Sequence, residues 1–279
     1  MNNKIFIAII LIIISGIGGY YLLSKPVEQS HRSYEMEVTS KPSNIDPKKP
    51  ATFRYKIKND KGEVLKNYEV AHEKIMHFIT VRKDLAYFQH LHPDFNEVTS
   101  EFTVVVTFPE VGPYRLFPDF TPGDDNPQKL PVTVQHDINV GSLNKYYAQS
   151  VVQDREQTKI YGDYKITTTF PKDAKKQTEI TYSLSISQNG RPVTNLEKYL
   201  GALGHSVIIK EGSLDFIHTH AEDMAMMDHQ GMSQEMMMGM TGPYISFSTT
   251  FPASGVYKIF TQFQHQGKVL TTDYTVRLE

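Results

Sequence analysis

The sequence predicts an all-β chain: two tandem β-sandwich domains of immunoglobulin or cupredoxin-like type behind an N-terminal transmembrane helix. Three observations carry this expectation. Short runs of alternating apolar and polar residues, closed by Pro and Gly turns, recur from Tyr34 to the end of the chain. Tyr (16) and Phe (15) are plentiful, and with many Val, Ile and Thr they make the composition of a pleated, half-buried surface. The histidines His77, His90 and His92 return 128 residues later, without a gap, as His205, His218 and His220.

The first element is the uncharged run Ile5 to Leu23, between Lys4 and Lys25. A helix of this length crosses the roughly 30 Å hydrocarbon core of a bilayer. Residues 1–25 are therefore expected to be a membrane anchor or a signal segment. Tyr20-Tyr21-Leu22-Leu23 carries the apolar run past the small residues Ser15 to Gly19, which favours a retained anchor over a cleaved signal. The expected location is the cell membrane, single-pass, with the C-terminal domains extracytoplasmic; the alternative is secretion after cleavage. Residues 26–33 read as a polar tether.

The first module is placed at 34–140. Tyr34, Met36 and Val38 alternate in strand fashion, as do Phe53, Tyr55 and Ile57, and Asn59-Asp60-Lys61-Gly62 supplies turn chemistry. His77 to Val81 forms the next strand, Lys83-Asp84 turns the chain, and Ala86 to His92 runs back beside it. The three histidines thus fall on two neighbouring strands. Phe102 to Phe108 and the run after Gly112-Pro113 continue the alternation, and Leu130 to Val134 closes the sheet. His136 to Ser150 reads as the start of a connecting segment, with the connector placed at 141–160.

The second module, 161–279, repeats this order. Gly190, Phe216 and Glu222 stand 128 residues after Gly62, Phe88 and Asp94. Later the offset becomes 143: Phe108-Pro109 matches Phe251-Pro252, Tyr114 matches Tyr257, and Phe117 matches Phe260. The second copy has therefore gained a stretch, 221–243, and this insertion holds eight of the chain's 11 methionines. Thioethers are not what a merely lengthened loop accumulates.

Composition excludes several chemistries. With 29 basic and 31 acidic residues nothing argues for nucleic acid as partner. Without Cys, no thiolate site, cysteine nucleophile or His-Cys copper electron-transfer centre can form. His72-Glu73-Lys74-Ile75-Met76-His77 spaces its histidines five apart, not the four of a zincin helix. No GxSxG, GxGxxG or Walker loop is present, so the chain is not expected to be an enzyme.

Metal binding remains. On a strand, residues i and i+2 share a face about 6.6 Å apart, so His90 and His92 can converge on one ion with His77 as a third ligand. His205, His218 and His220 can do the same. Imidazole sets of this kind suit Cu(II) or Zn(II). Asp94 and Glu222 are candidate fourth ligands by their shared offset, and His265 is a candidate in the second copy. Met224, Met226, Met227, Met236, Met237, Met238 and Met240 add soft sulfur that selects Cu(I). Copper is the expected cofactor, with zinc the alternative. The expected role is copper sequestration, delivery or tolerance at the membrane, with a metal-transfer protein as partner; the competing reading is a non-catalytic adhesion or scaffold protein on the cell surface.

The segments MHFITVRKDLAYFQHLHPDF and GALGHSVIIKEGSLDFIHTH, with TFPEVGPYRLFPDFTP and TFPASGVYKIFTQFQHQGKV, resemble a group of bacterial extracytoplasmic proteins with tandem sandwich domains. That group is regarded as heavy-metal or copper related. The resemblance covers about residues 50–135 and 175–279, and it implies repeated His…HxH motifs on two sandwiches. This chain departs from it in His218-Thr219-His220-Ala221, where a second His-x-His-Pro would stand, and in the Met-rich insertion.

Overall fold

Period-2 alternation sets the strands, and Pro and Gly end them. The computed structural model describes residues 33–123, 128–221 and 241–279, and among these the regular elements are β-strands apart from one 3-10 turn at Leu143–Lys145. The first ten strands are β1 (Tyr34–Lys41), β2 (Pro50–Asn59), β3 (Tyr68–Glu69), β4 (His77–Arg82), β5 (Phe88–Leu91), β6 (Asp94–Asn96), β7 (Glu101–Thr107), β8 (Gly112–Pro122), β9 (Val132–Thr133) and β10 (His136–Val140). The rest are β11 (Thr158–Tyr161), β12 (Tyr164–Thr169), β13 (Glu179–Gln188), β14 (Arg191–Pro192), β15 (His205–Lys210), β16 (Phe216–His220), β17 (Tyr244–Thr250), β18 (Gly255–His265) and β19 (Lys268–Leu278).

β1-β2-β7-β6 form one sheet of the first module and β10-β8-β4-β5 the other, with β3 and β9 joined to β8. In β2, Ala51, Phe53, Tyr55 and Ile57 turn inward and their neighbours outward. Tyr55 stacks on Phe102 of its own sheet at 5.2 Å and on Phe78 of the facing sheet at 5.4 Å, so the two inner faces share a core. The second module has the same plan: β11-β12-β13-β14 with β17 on one side, β16-β15-β18-β19 on the other. Ile166, Leu184 and Phe247 from the first of these sheets pack with Ile208, Tyr257 and Tyr274 from the second.

β4 and β15 break the alternation. β4 is buried at every residue and β15 at all but Lys210. Such a strand must be covered on both faces. Phe78 and Ile208 point into their own sandwiches; Ile79, Val81 and Phe117 point the other way and meet Val207, Ile209 and Phe260 in a single apolar cluster. The sandwiches therefore pack sheet against sheet, and Glu35–Glu279 is one compact unit.

This packing repeats itself across the interface. Phe88 stacks on Phe260 at 4.6 Å, and their counterparts in the repeat, Phe216 and Phe117, stack at 5.0 Å. Each module thus offers the other the same two aromatic positions, as the halves of a two-fold dimer do.

His136–Val140, expected as connector, is instead a strand paired with β8, Ile138 opposite Tyr114. Its alternation holds only two apolar residues, Ile138 and Val140, too short a run to stand out. The apolar run Ile5 to Leu23 and most of the Met-rich stretch lie outside the described residues. Among the described residues no helix is long and apolar enough to cross a membrane.

Candidate metal centre

The strand register places the histidines. His77 lies on the same side of β4 as Ile79 and Val81, facing the other module; His90 sits opposite Ile79 on β5, and His92 follows two residues later. The second copy repeats this, with His218 opposite Val207 and His220 opposite His205. All six imidazoles therefore stand at one end of the apolar interface. Their rings form one cluster: His77 lies 5.2 Å from His92, 5.2 Å from His218 and 6.3 Å from His205, and His90 lies 5.6 Å from His218. The two expected three-histidine sites face each other across the module contact.

Hydrogen bonds fix the tautomers, because a carbonyl oxygen only accepts. Nε2–H of His77 donates to the Ala71 carbonyl at 3.1 Å, and Nε2–H of His205 donates to the Tyr199 carbonyl, 128 residues later, at 2.8 Å. His90 and His218 are oriented from across the interface. Nδ1–H of His90 donates to Gln262 Oε1 at 2.9 Å, and Nδ1–H of His218 donates to Asp119 Oδ2 at 2.8 Å. Asp119 and Gln262 are themselves counterparts at the later offset of 143. Gln262 is held by its amide nitrogen donating to Thr271 Oγ1 at 3.0 Å, and Asp119 by Thr133 Oγ1 donating at 2.9 Å.

These bonds leave a lone pair on the other nitrogen of His77, His90, His205 and His218. Nε2 of His92, His218 and His220 and Nδ1 of His205 are buried without a protein partner. His77 Nδ1 and His90 Nε2, both unprotonated in these tautomers, face each other at 2.9 Å. Two lone pairs at this distance repel, and a metal ion between them would relieve the repulsion. A metal ion with bonds of about 2.0 Å would take both at an angle of roughly 90°.

A proton fits poorly, because the site disfavours imidazolium. Burial lowers the pKa of His77, carries His90 and His218 well below the usual value, and takes His92 to about 3 and His205 to about 4; neighbouring histidines add to the effect. Burial also lowers His220 and His72. Asp119 moves the other way: burial raises it to about 6, against the pull of Thr133. At neutral pH the cluster is a set of neutral imidazoles beside one carboxylate, and neutral imidazole is the ligating form.

The donor nitrogens of His77, His90 and His92 lie within 4.8 Å of one another, as do those of His72, His205 and His220. His72 was not among the expected ligands. Its counterpart in the repeat is Leu200, so the offset that reveals the other six does not find it. His72 takes the place expected for His218, which is tied instead to Asp119 and lies 4.6 Å from His220. A pocket of about 470 Å³ lined by His72, His77, His218, His220 and Asp119 reaches the cluster.

The other candidates separate. Asp94 is exposed on β6 opposite Thr103 and belongs to neither convergent group, because the chain has left the interface sheet by that point. The acid that meets the histidines is Asp119, aligned with His77 in the β4–β8 register. His265 is buried but engaged elsewhere: Nδ1 bonds the Tyr164 hydroxyl at 2.8 Å and Nε2 faces Asn195 Oδ1 at 3.2 Å, so neither nitrogen is free for an ion. Glu222, Met224, Met226, Met227, Met236, Met237, Met238 and Met240 lie outside the described residues.

The family model for DUF8832, a domain of unknown function, matches residues 30–139 and again residues 158–279, one match to each module. No curated protein matches the chain. Among solved structures, a DUF4426 family protein from Pseudomonas aeruginosa PAO1 is similar at 9% identity and a TM-score of 0.31, covering 44% of this chain and 94% of its own. The Escherichia coli adhesin FdeC is similar at 12% identity and a TM-score of 0.27, covering 90% of this chain; the chain spans 66% of that adhesin. A putative membrane anchored protein from Corynebacterium diphtheriae is similar at 11% identity and a TM-score of 0.24, covering 88% of this chain and 57% of its own.

Proposed function

We propose, for a chain that belongs to the DUF8832 family, that the interface histidine cluster is a transition-metal site and that its metal is copper. One observation carries this reading: six imidazoles, each with one nitrogen oriented by a hydrogen bond or buried without a partner, turn lone pairs toward one another at the contact of the two modules. An apolar interface is stabilised by burial alone and gains nothing from imidazoles without partners. Buried polar atoms without partners cost about 1–3 kcal/mol each, and an ion recovers that cost.

The sequence beside the site supports copper over zinc. Imidazole nitrogen suits both metals, and the thioethers that follow His220 are soft donors that select Cu(I). Asp119 and Gln262 act as the outer hydrogen-bond partners that hold ligating histidines in position.

In this reading residues 1–25 tether the protein to the membrane, the two modules lie on its extracytoplasmic side, and copper is stored or handed to a transfer partner. The Met-rich stretch begins directly after His220 in sequence, which suits thioethers that pass Cu(I) to or from the cluster. The test is metal content and competition on the full chain in mild detergent. Copper should be retained against a tenfold excess of zinc and lost when all six repeated histidines are replaced by Gln. Copper content near zero after loading, or unchanged in the six-histidine variant, overturns the reading. Zinc displacing copper keeps the site and overturns its metal.

A further inference from the structure

Resting on the reading of the cluster as a metal site, we infer that the interface takes two ions, the second gripped by His72, His205 and His220, a ligand set drawn from both modules. The repeat alone would put a His205, His218, His220 set in the second module. The geometry assigns the ligands differently. His218 spends Nδ1 on Asp119 of the first module, while His72, also of the first module, packs against His220 with its ring centroid 3.4 Å away and against His205 at 5.5 Å.

A backbone device presents His72. Ala71 and Lys74 bridge to each other, as do their counterparts Tyr199 and Ala202, and residues 72 and 200 both adopt the left-handed conformation, φ 50° and 52°. The two turns therefore have the same shape, and they approach each other: the side chain of Glu73 lies 3.8 Å from where a Cβ on Gly201 would stand, and His72 hydrogen-bonds to the backbone of Leu200. Where the modules are related by the repeat, one turn carries His and the other Leu. The interface is thus symmetric in its apolar pairs and asymmetric in its ligands.

The chemistry of the two sets differs accordingly. His77, His90 and His92 all come from the first module and are tilted or edge-on to one another, ready to converge. His72 and His220 are stacked with 18° between their planes, so the second ion needs one ring to turn. His72 is the one that can, because it alone of the set is exposed. His218, 5.2 Å from His77 and 5.8 Å from His205, stands between the sets with Nε2 available to either ion. The first position can fill within one module; the second exists only while both modules are docked.

The experiment is copper stoichiometry on the full chain, for the native protein and for His72→Leu, which installs the residue found at the matching turn position. Loaded as Cu(II), which the Met-rich thioethers do not select, the native protein should hold two copper ions and His72→Leu one. Loaded with Cu(II), the native protein should give a dipolar-broadened EPR spectrum with a half-field signal, and His72→Leu the spectrum of a single isolated ion. One ion in both proteins, or two in both, overturns the inference and leaves the metal site standing. No copper in the native protein removes the site and the inference together. If His72→Leu fails to fold, the native EPR spectrum decides alone: an isolated-ion signal at full loading overturns the pair.

Discussion

A histidine buried in its neutral form ties stability to pH. In the unfolded chain the imidazole titrates near 6.5, whereas burial takes His205 to about 4 and His92 to about 3. Between these values the unfolded chain binds more protons, so stability falls as pH falls; the contribution is complete above about 6.5 and is lost toward the folded pKa. For His205, 1% exposed, the full shift corresponds to ~3 kcal/mol. Asp119 opposes this, since its raised pKa of about 6 makes the folded state hold the extra proton between roughly pH 4 and 6. One acid works against several histidines. The metal-free protein should therefore melt at progressively lower temperature from pH 7 to pH 4.5 by scanning calorimetry; a flat profile would mean that the imidazoles are solvated. Asp119 can also be tested directly. Asp119→Ala leaves Nδ1–H of His218 without its acceptor, and copper affinity should fall by roughly 10- to 100-fold in a chelator competition while ions per chain stay unchanged.

At the scale of elements, much was legible because it is local. Alternation at Phe53, Tyr55 and Ile57 and at Phe102 to Phe108 is a direct record of one buried face, and β2 and β7 follow it. The pairing of His77 with the His90 and His92 strand follows from the Lys83-Asp84 turn. What joins the two histidine sets is long-range, and no local pattern states it. A signal was nonetheless present: Phe78-Ile79-Thr80-Val81, broken only by Thr80, and Val207-Ile208-Ile209 are near-continuous apolar runs, the mark of strands covered on both faces, so a further layer had to lie over the histidine sheet. The later offset also placed Asp119 opposite Gln262 in the repeat, which identifies the residues that orient His218 and His90. His72 was hidden because it departs from the repeat. The layer over these strands makes a further prediction. Phe88 and Phe260 are stacked with 9° between their planes, and a double-mutant cycle with Phe88→Leu and Phe260→Leu should show a coupling of about 1 kcal/mol in urea unfolding. Additive effects would mean that the rings do not meet in solution.

At the scale of the molecule, the interface decides whether the chain behaves as two domains or one. Each module has its own core, so each could unfold alone, and a loose tandem would show two transitions. The contact argues otherwise. Ile79, Val81 and Phe117 of one module and Val207 and Ile209 of the other are each at most 1% exposed, and separating the modules would bare them all at once. At about 25 cal/mol per Å² of apolar surface, baring several such side chains costs several kcal/mol, comparable with the marginal stability of a single domain. Neither module should persist once the other has unfolded. Calorimetry of the metal-free chain should therefore give a single transition, with the calorimetric and van't Hoff enthalpies equal for residues 35–279. Phe117→Asp places an unpaired charge in the middle of the cluster at a position paired with Ile79 and not with a histidine; it should split that transition into two. If the first copper position lies within one module and the second bridges both, this variant should also keep one ion and lose the other. Two transitions in the native chain would show that the sheets separate freely, and a site shared between them could then fill only by drawing the modules together.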